Sequence, residues 1–130
     1  MVALSSWAHT RSDPVTVAQA PLDVRFAPGR ILQPDAMVFL TGLSPDLEGP
    51  VERVPDVCIE VLSTNRVYDR VAKRFLHAEA GVREYWLVDP AGVVERRDGP
   101  GLSRAEEIAG VLSSPLLPGF APDVAELLAG

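Results

Sequence analysis

The sequence predicts a single α/β domain whose mixed sheet is built around one βαβ unit. Three observations carry that expectation. From Val57 to Leu62 the chain is a short apolar run, rich in β-branched residues and too short for a globular helix. After the polar Ser63, Thr64 and Asn65, apolar residues recur at helical spacing, Val67, Val71 and Phe75 alongside Tyr68, Ala72 and Leu76, until Gly81 stops the helix. Tyr85 to Val88 then resumes a strand, ended by Asp89-Pro90. Strand, helix and strand joined by short turns make a right-handed crossover, with the two strands parallel and the helix across one face.

At 130 residues and 47% hydrophobic content, the chain matches one domain with a modest core. Its 12 prolines and 10 glycines divide it into short elements, so only the helix after Asn65 is expected to exceed two turns. A net charge of -6 excludes a generally basic surface, and a nucleic-acid binder of this composition must concentrate its positive charge locally. Arg66, Arg70, Lys73 and Arg74 do so against Asp69 alone, although a solvated helix face has the same appearance. The single cysteine, Cys58, lies in the apolar run and reads as a packed thiol suited to a reducing cytosol. No basic flank precedes a continuous apolar region, and no stretch approaches ~20 apolar residues, so a cytoplasmic protein without secretion or membrane spanning is expected.

In chain order, residues 1–14 show no sustained period and read as a loose lead-in, with Trp7 and His9 lacking any partner pattern. Alternation from Val15 to Phe26, clearest in Leu22, Val24 and Phe26, predicts a strand with one buried face. A turn over Ala27 to Arg30 leads to a second strand, Ile31 to Leu40, giving an antiparallel hairpin. Pro34 interrupts that strand because proline removes a ladder donor, so Asp35 is displayed at an edge, a start or a bulge. Thr41 to Val54 reads as a polar loop, its acids Asp46, Glu48 and Glu52 solvated. Past Pro90, Val93 to Arg97 is expected to pair with Tyr85 to Val88 as a hairpin. Leu102 to Val111 is ambiguous between strand and short helix, SSPLLPGFAP is a proline-rich crossing, and Asp123 caps a terminal helix over Val124 to Ala129.

One charge stands inside the apolar run. Burying the carboxylate of Glu60 costs several kcal/mol unless a metal, a cation or hydrogen bonds compensate it. Asp69, Lys73 and His77 recur four residues apart on the following helix, so Lys73 projects from a different side than the Val71 and Phe75 stripe expected to face the core. Asp35, Glu60 and Lys73 thus form an acid, acid, lysine set.

The segments APLDVRF, QPDAMVF, VPDVCIEVLS, the Asp69 to Lys73 spacing, AGVREYWLVDP and SSPLLPGF resemble, in order, those of the Uma2 family (DUF820). Its members are similar to PD-(D/E)XK restriction-endonuclease-like nucleases. The resemblance implies a restriction-endonuclease-like mixed sheet and a Mg²⁺-dependent, or Mn²⁺-dependent, endonuclease that hydrolyses DNA phosphodiester bonds. It further implies that Asp35 and Glu60 bind the metal together with the backbone carbonyl of Val61, oxygen donors suited to a hard cation. Lys73 then takes the role of the lysine usually found two residues after the acid, a position held here by Leu62. Gln33, Ser63 and Asp69 become supporting groups, and Asp56 belongs to the turn before the strand.

Against the family pattern, the chain is expected to lack an N-terminal helix and hairpin ahead of APLDVRF, leaving apolar surface that a homodimer would cover. Thr64 replaces a common proline, and His77 stands where tyrosine is usual. Structural readings of the same residues stay open: Asp35 initiating a turn, Glu60 and Lys73 as a plain ion pair, or Lys73 bound to Asp69. The corresponding alternative function is a nuclease-like fold without catalysis, serving as a binding or assembly partner.

Overall fold

The computed structural model describes residues 2–19, 22–27, 30–32, 34–43, 51–62 and 67–128. Its centre is a six-stranded sheet in the order β1 (Thr16–Gln19), β4 (Ala36–Phe39), β5 (Val57–Val61), β6 (Glu84–Asp89), β7 (Val93–Asp98) and β8 (Arg104–Ile108), and β2 (Val24–Ala27) and β3 (Arg30–Leu32) form a separate two-stranded sheet. The expected βαβ unit is there: β5 (Val57–Val61), α2 (Val67–Ala80) and β6 (Glu84–Asp89), with β5 and β6 parallel. Every other neighbouring pair in the sheet is antiparallel, including the hairpin of β6 with β7 (Val93–Asp98). The sheet is therefore mixed, and its parallel step sits where the helix crosses.

Side chains leave the central strands alternately toward two apolar layers. On one face Ala36, Val38, Val57, Ile59, Trp86, Val88 and Val94 pack beneath α1 (Val2–His9), α3 (Val124–Leu128) and the proline-rich crossing. On the other face Met37, Phe39, Cys58, Tyr85 and Leu87 pack against Val24, Val51, Val82 and Leu102. Cys58 is a buried free thiol whose pKa is pushed up by burial and, secondarily, by the charge of Glu60. It is packing material rather than a nucleophile.

Several expectations need correction. The predicted loose lead-in is instead α1 (Val2–His9), with Leu4 and Trp7 buried one turn apart on the first core. Two anchors over eight residues give too little periodicity to register in the sequence, yet Trp7 stacks edge-on against Phe120 and donates to the Pro118 carbonyl at 2.8 Å. His9 is exposed. The strand predicted over Val15 to Phe26 is two strands, β1 (Thr16–Gln19) and β2 (Val24–Ala27), and that over Ile31 to Leu40 is also two, β3 (Arg30–Leu32) and β4 (Ala36–Phe39). Each predicted strand changes sheet midway, so the hairpin exists twice, as β2 with β3 and as β1 with β4. Pro34, lacking an N–H, lies in the break between β3 and β4.

Val51, expected in a solvated loop, is only 1% exposed and exchanges backbone hydrogen bonds with Asp23 and Arg25 beside β2. Leu102 to Val111 resolves into a single 3-10 turn ending at Leu102, then the edge strand β8 (Arg104–Ile108). The terminal helix α3 runs Val124–Leu128, with Asp123 Oδ1 accepting the Ala125 N–H at 3.2 Å. The turn at Pro28-Gly29, Gln33, the loop acids Asp46 and Glu48, and the Ser63-Thr64-Asn65 cap lie outside the described residues, as does the side chain of Asp69.

The helical stripe is also reversed. Phe75, expected with Val71 to face the core, is 57% exposed and Leu76 beside it 39%, whereas His77 is 2% exposed; the side chain of Val71 lies outside the described residues. The sheet beneath this part of α2 carries Glu60 and Tyr85, so a polar helix face with Lys73 and His77 matches it better than an aliphatic one.

Candidate functional site

Glu60 lies near the end of β5, and its side chain is 11% exposed. Its face of the sheet follows from alternation: Cys58, two residues earlier, packs in the layer beneath α2. A lone carboxylate there would be costly, and two donors compensate it. Lys73 Nζ lies 3.2 Å from Glu60 Oε1, and the buried phenol of Tyr85 donates to Glu60 Oε2. The parallel register pairs Cys58 with Tyr85 and Glu60 with Leu87, so the phenol reaches Glu60 along the same face from the neighbouring strand.

Asp35 precedes β4. The register of β4 with β5 pairs Ala36 with Ile59, and one further step sets Asp35 opposite Glu60, on the same face. Asp35 Oδ2 accepts the Val61 N–H at 2.8 Å, which ties the carboxylate to the exposed end of β5. Pro34 explains the placement, because the chain leaves the ladder there and Asp35 is exposed beyond it. Asp35, Glu60, Val61 and Lys73 are thus gathered at one end of the β4–β5 pair. The structural reading of Asp56 holds: its carboxylate accepts the Leu40 N–H at 2.8 Å and its carbonyl accepts from Arg83 and Glu84.

From the sequence His77 stands out as the end of the Asp69, Lys73, His77 stripe and as a departure from a family pattern, and Tyr85 only as a strand residue. In the structure they complete the site. The two rings stack with centroids 4.3 Å apart and planes 18° from parallel. His77 Nδ1 lies 2.6 Å from the Lys73 carbonyl, so that nitrogen carries the proton and donates. Burial lowers the pKa of His77, and the Lys73 carbonyl and the charge of Glu60 only partly offset this, so the ring is neutral near pH 7. Its Nε2 is buried with no partner among the described residues.

A second buried acid, on the opposite face, went unnoticed in the sequence. Glu84, 2% exposed, accepts from Trp86 Nε1 at 2.9 Å and Ser114 Oγ at 2.6 Å, with Arg96 at 3.3 Å. Three donors close around it, which makes it a structural tie between the sheet and the SSPLLPGF crossing rather than a reactive group. Its signal in the sequence was the alternation Glu84, Trp86, Val88, which puts an acid on a core-facing register.

Asp35 and Glu60 are oxygen donors only, and Asp35 Oδ2 is committed to the Val61 N–H while its Oδ1 has no hydrogen-bond partner among the described residues. Each carboxylate offers about four acceptor positions, so Glu60 retains capacity beyond its two donors. This donor chemistry fits a hard cation such as Mg²⁺ and does not suit a soft one. Among the described residues no three His, Cys, Asp or Glu side chains converge in a manner that could hold a metal, so any ion here relies on two carboxylates plus carbonyl and water oxygens. No described helix is long and apolar enough to cross a membrane.

Comparison with known proteins gives the context. The profile of the Uma2 family, described as "Putative restriction endonuclease", matches residues 1–125. A crystal structure of "a putative nuclease belonging to DUF820" from Anabaena variabilis superposes with a TM-score of 0.73 at 22% identity, covering 98% of this chain and 75% of that one. At that identity the likeness establishes the restriction-endonuclease-like fold. No curated protein sequence matches.

Proposed function

Because this chain belongs to the Uma2 family, we propose that it is a Mg²⁺-dependent endonuclease hydrolysing DNA phosphodiester bonds, with its site at Asp35, Glu60, Val61 and Lys73. The observation that supports this best is the meeting of Lys73 with Glu60 at 3.2 Å beside the Asp35 to Val61 hydrogen bond. An acid pair and one amine at the end of two strands is a PD-(D/E)XK-type constellation in which the lysine comes from the helix instead of the strand.

Asp35, Glu60 and the Val61 carbonyl would hold the cation, which when bound lowers the pKa of a coordinated water and neutralises phosphate charge. Asp35 is kept in place by the Val61 N–H, which restrains one of its two oxygens. Lys73 contributes a compact charge on a flexible stem, suited to orienting the attacking water or stabilising negative charge on the phosphate. Its side chain is 41% exposed, so its tip is accessible from solvent while still paired. Arg74, next to Lys73 on α2, adds positive charge to that helix in a chain of net charge -6, its guanidinium lying over the exposed Phe75 ring.

The test is cleavage of supercoiled plasmid and of a labelled duplex with Mg²⁺ or Mn²⁺, compared with chelator and with Glu60→Gln. Metal-dependent cutting that Glu60→Gln abolishes supports the proposal. Cutting of equal rate in Glu60→Gln would refute it, and a folded protein that cuts nothing under either ion would favour the non-catalytic alternative.

A further inference from the structure

Four side chains around the site form a closed circuit. Lys73 donates to Glu60 Oε1, Tyr85 donates to Glu60 Oε2, His77 stacks on the Tyr85 ring, and His77 Nδ1 donates to the carbonyl of Lys73, one turn earlier on the same helix. Two strands and one helical turn are thereby locked through a single carboxylate. A structural role for Tyr85 asks only that its hydroxyl find a partner, and any backbone carbonyl would serve. Here the partner is instead the buried Glu60, the one buried acid of this face among the described residues, and both of its oxygens are taken by donors from different elements.

We infer that Tyr85 is a positioning residue for Glu60: its phenol fixes one carboxylate oxygen, which sets the orientation in which the other meets Lys73 and a cation, and His77 braces the phenol by stacking. The inference deepens the metal-dependent reading of the site and rests on it. Its physical basis is preorganisation. A glutamate has three rotatable bonds, and a ligand already held in its binding rotamer loses less entropy when the ion arrives. Tyr85 is fully buried, so its ring cannot swing, and His77 at 2% exposure packs it from the helix side. The Tyr85 hydroxyl also restrains Glu60 without adding charge, so it leaves the attraction for a cation intact.

The inference separates from plain packing in a measurement of metal affinity. Tyr85→Phe keeps the ring, its volume and its stacking on His77, and deletes only the hydroxyl. Mn²⁺ binding is measured by calorimetry on wild type, Tyr85→Phe and Glu60→Gln, at a temperature where melting curves show all three folded. Wild type is expected to bind one Mn²⁺, Glu60→Gln none, and Tyr85→Phe one Mn²⁺ about tenfold more weakly, the usual cost of removing a partner that orients a metal ligand. His77→Ala, which removes the brace but leaves the hydroxyl, is expected to weaken binding less than Tyr85→Phe, and His77→Phe to restore it toward wild type. Mn²⁺ affinity in Tyr85→Phe within twofold of wild type, with Glu60→Gln abolishing binding, would overturn the positioning role and leave the site standing. Absence of saturable Mn²⁺ binding in wild type would overturn the site reading and this inference with it.

Discussion

Lys73 and Glu60 are paired at 3.2 Å although one side chain is 41% exposed and the other 11%. The asymmetry matters: the acid is fixed in the sheet and the amine can detach without disturbing the core. A pair with one solvated partner contributes about 0–1 kcal/mol, so its value for stability is small. Lys73→Met is therefore expected to shift stability by less than about 1 kcal/mol while lowering cleavage by about 10²-fold or more, the range for removing one electrostatic stabiliser. Denaturant titration and single-turnover cleavage check the two halves separately.

Glu84 is the opposite case. Its partners Arg96, Trp86 and Ser114 are buried or nearly so, and Glu84→Ala strands them together. Loss of about 2–4 kcal/mol is expected, below the limit for a fully buried pair because Arg96 keeps Asp98 and Glu106. Thermal unfolding measures it, and Mn²⁺ affinity of the folded fraction should not change, because Glu84 faces the other side of the sheet from Glu60.

The lowered pKa of His77 carries a pH signature. In the unfolded chain the imidazole takes up a proton near its ordinary value of about 6.5, whereas in the fold burial keeps it neutral to lower pH. Between those values the unfolded state binds more protons, so stability rises with pH and falls on acidification. Wild type should therefore lose stability as pH drops from 7 toward 5, with a slope of at most about 1.4 kcal/mol per pH unit from this one group. His77→Phe should flatten that slope even if its stability at pH 7.5 is lower. Urea unfolding at several pH values gives the comparison, and an unchanged slope would contradict the assignment.

The central βαβ unit was legible because each piece is locally over-determined. The β5 run is short and β-branched, α2 ends at Ala80 before Gly81, which adopts φ +95°, and Asp89 Oδ1 holds the turn into β7 by accepting the Ala91 N–H at 2.9 Å. Glu60 stood out for the same reason, as a charge in an apolar run. What the sequence concealed depends on tertiary context. Phe75 has the right spacing from Val71 for a core stripe, but the polar surface under α2 selects Lys73 and His77 instead. The role of Tyr85 is invisible locally, since a tyrosine in a buried strand looks the same whether its hydroxyl meets a carbonyl or a carboxylate. The division of the first predicted strand into β1 and β2, and of the second into β3 and β4, was hidden because alternation runs on through a change of sheet. The helix α1 was missed because only two of its residues, Leu4 and Trp7, are buried, with the small Ala3 and Ala8 packed beside them.

Trp7 gives that last element a test. It is 7% exposed, contacts Phe120 with ring centroids 6.0 Å apart and donates to Pro118. Trp7→Ala is expected to cost about 3–5 kcal/mol, as for other large aromatic truncations. It should also release α1 from α3, seen as faster amide exchange over residues 2–9 than in wild type. Exchange that is already fast in wild type would contradict the packing of α1.

The account turns on whether Asp35 and Glu60 share one cation. Crystals soaked in Mn²⁺ and measured at an X-ray energy where manganese scatters anomalously give the most direct answer. The account predicts one anomalous peak at the end of the β4–β5 pair, within about 2.0–2.6 Å of an oxygen from each of Asp35 and Glu60, with Lys73 Nζ facing the same space and the peak lost in Glu60→Gln. A folded protein with no peak there, or with a peak bound to one carboxylate and unaffected by Glu60→Gln, would contradict it.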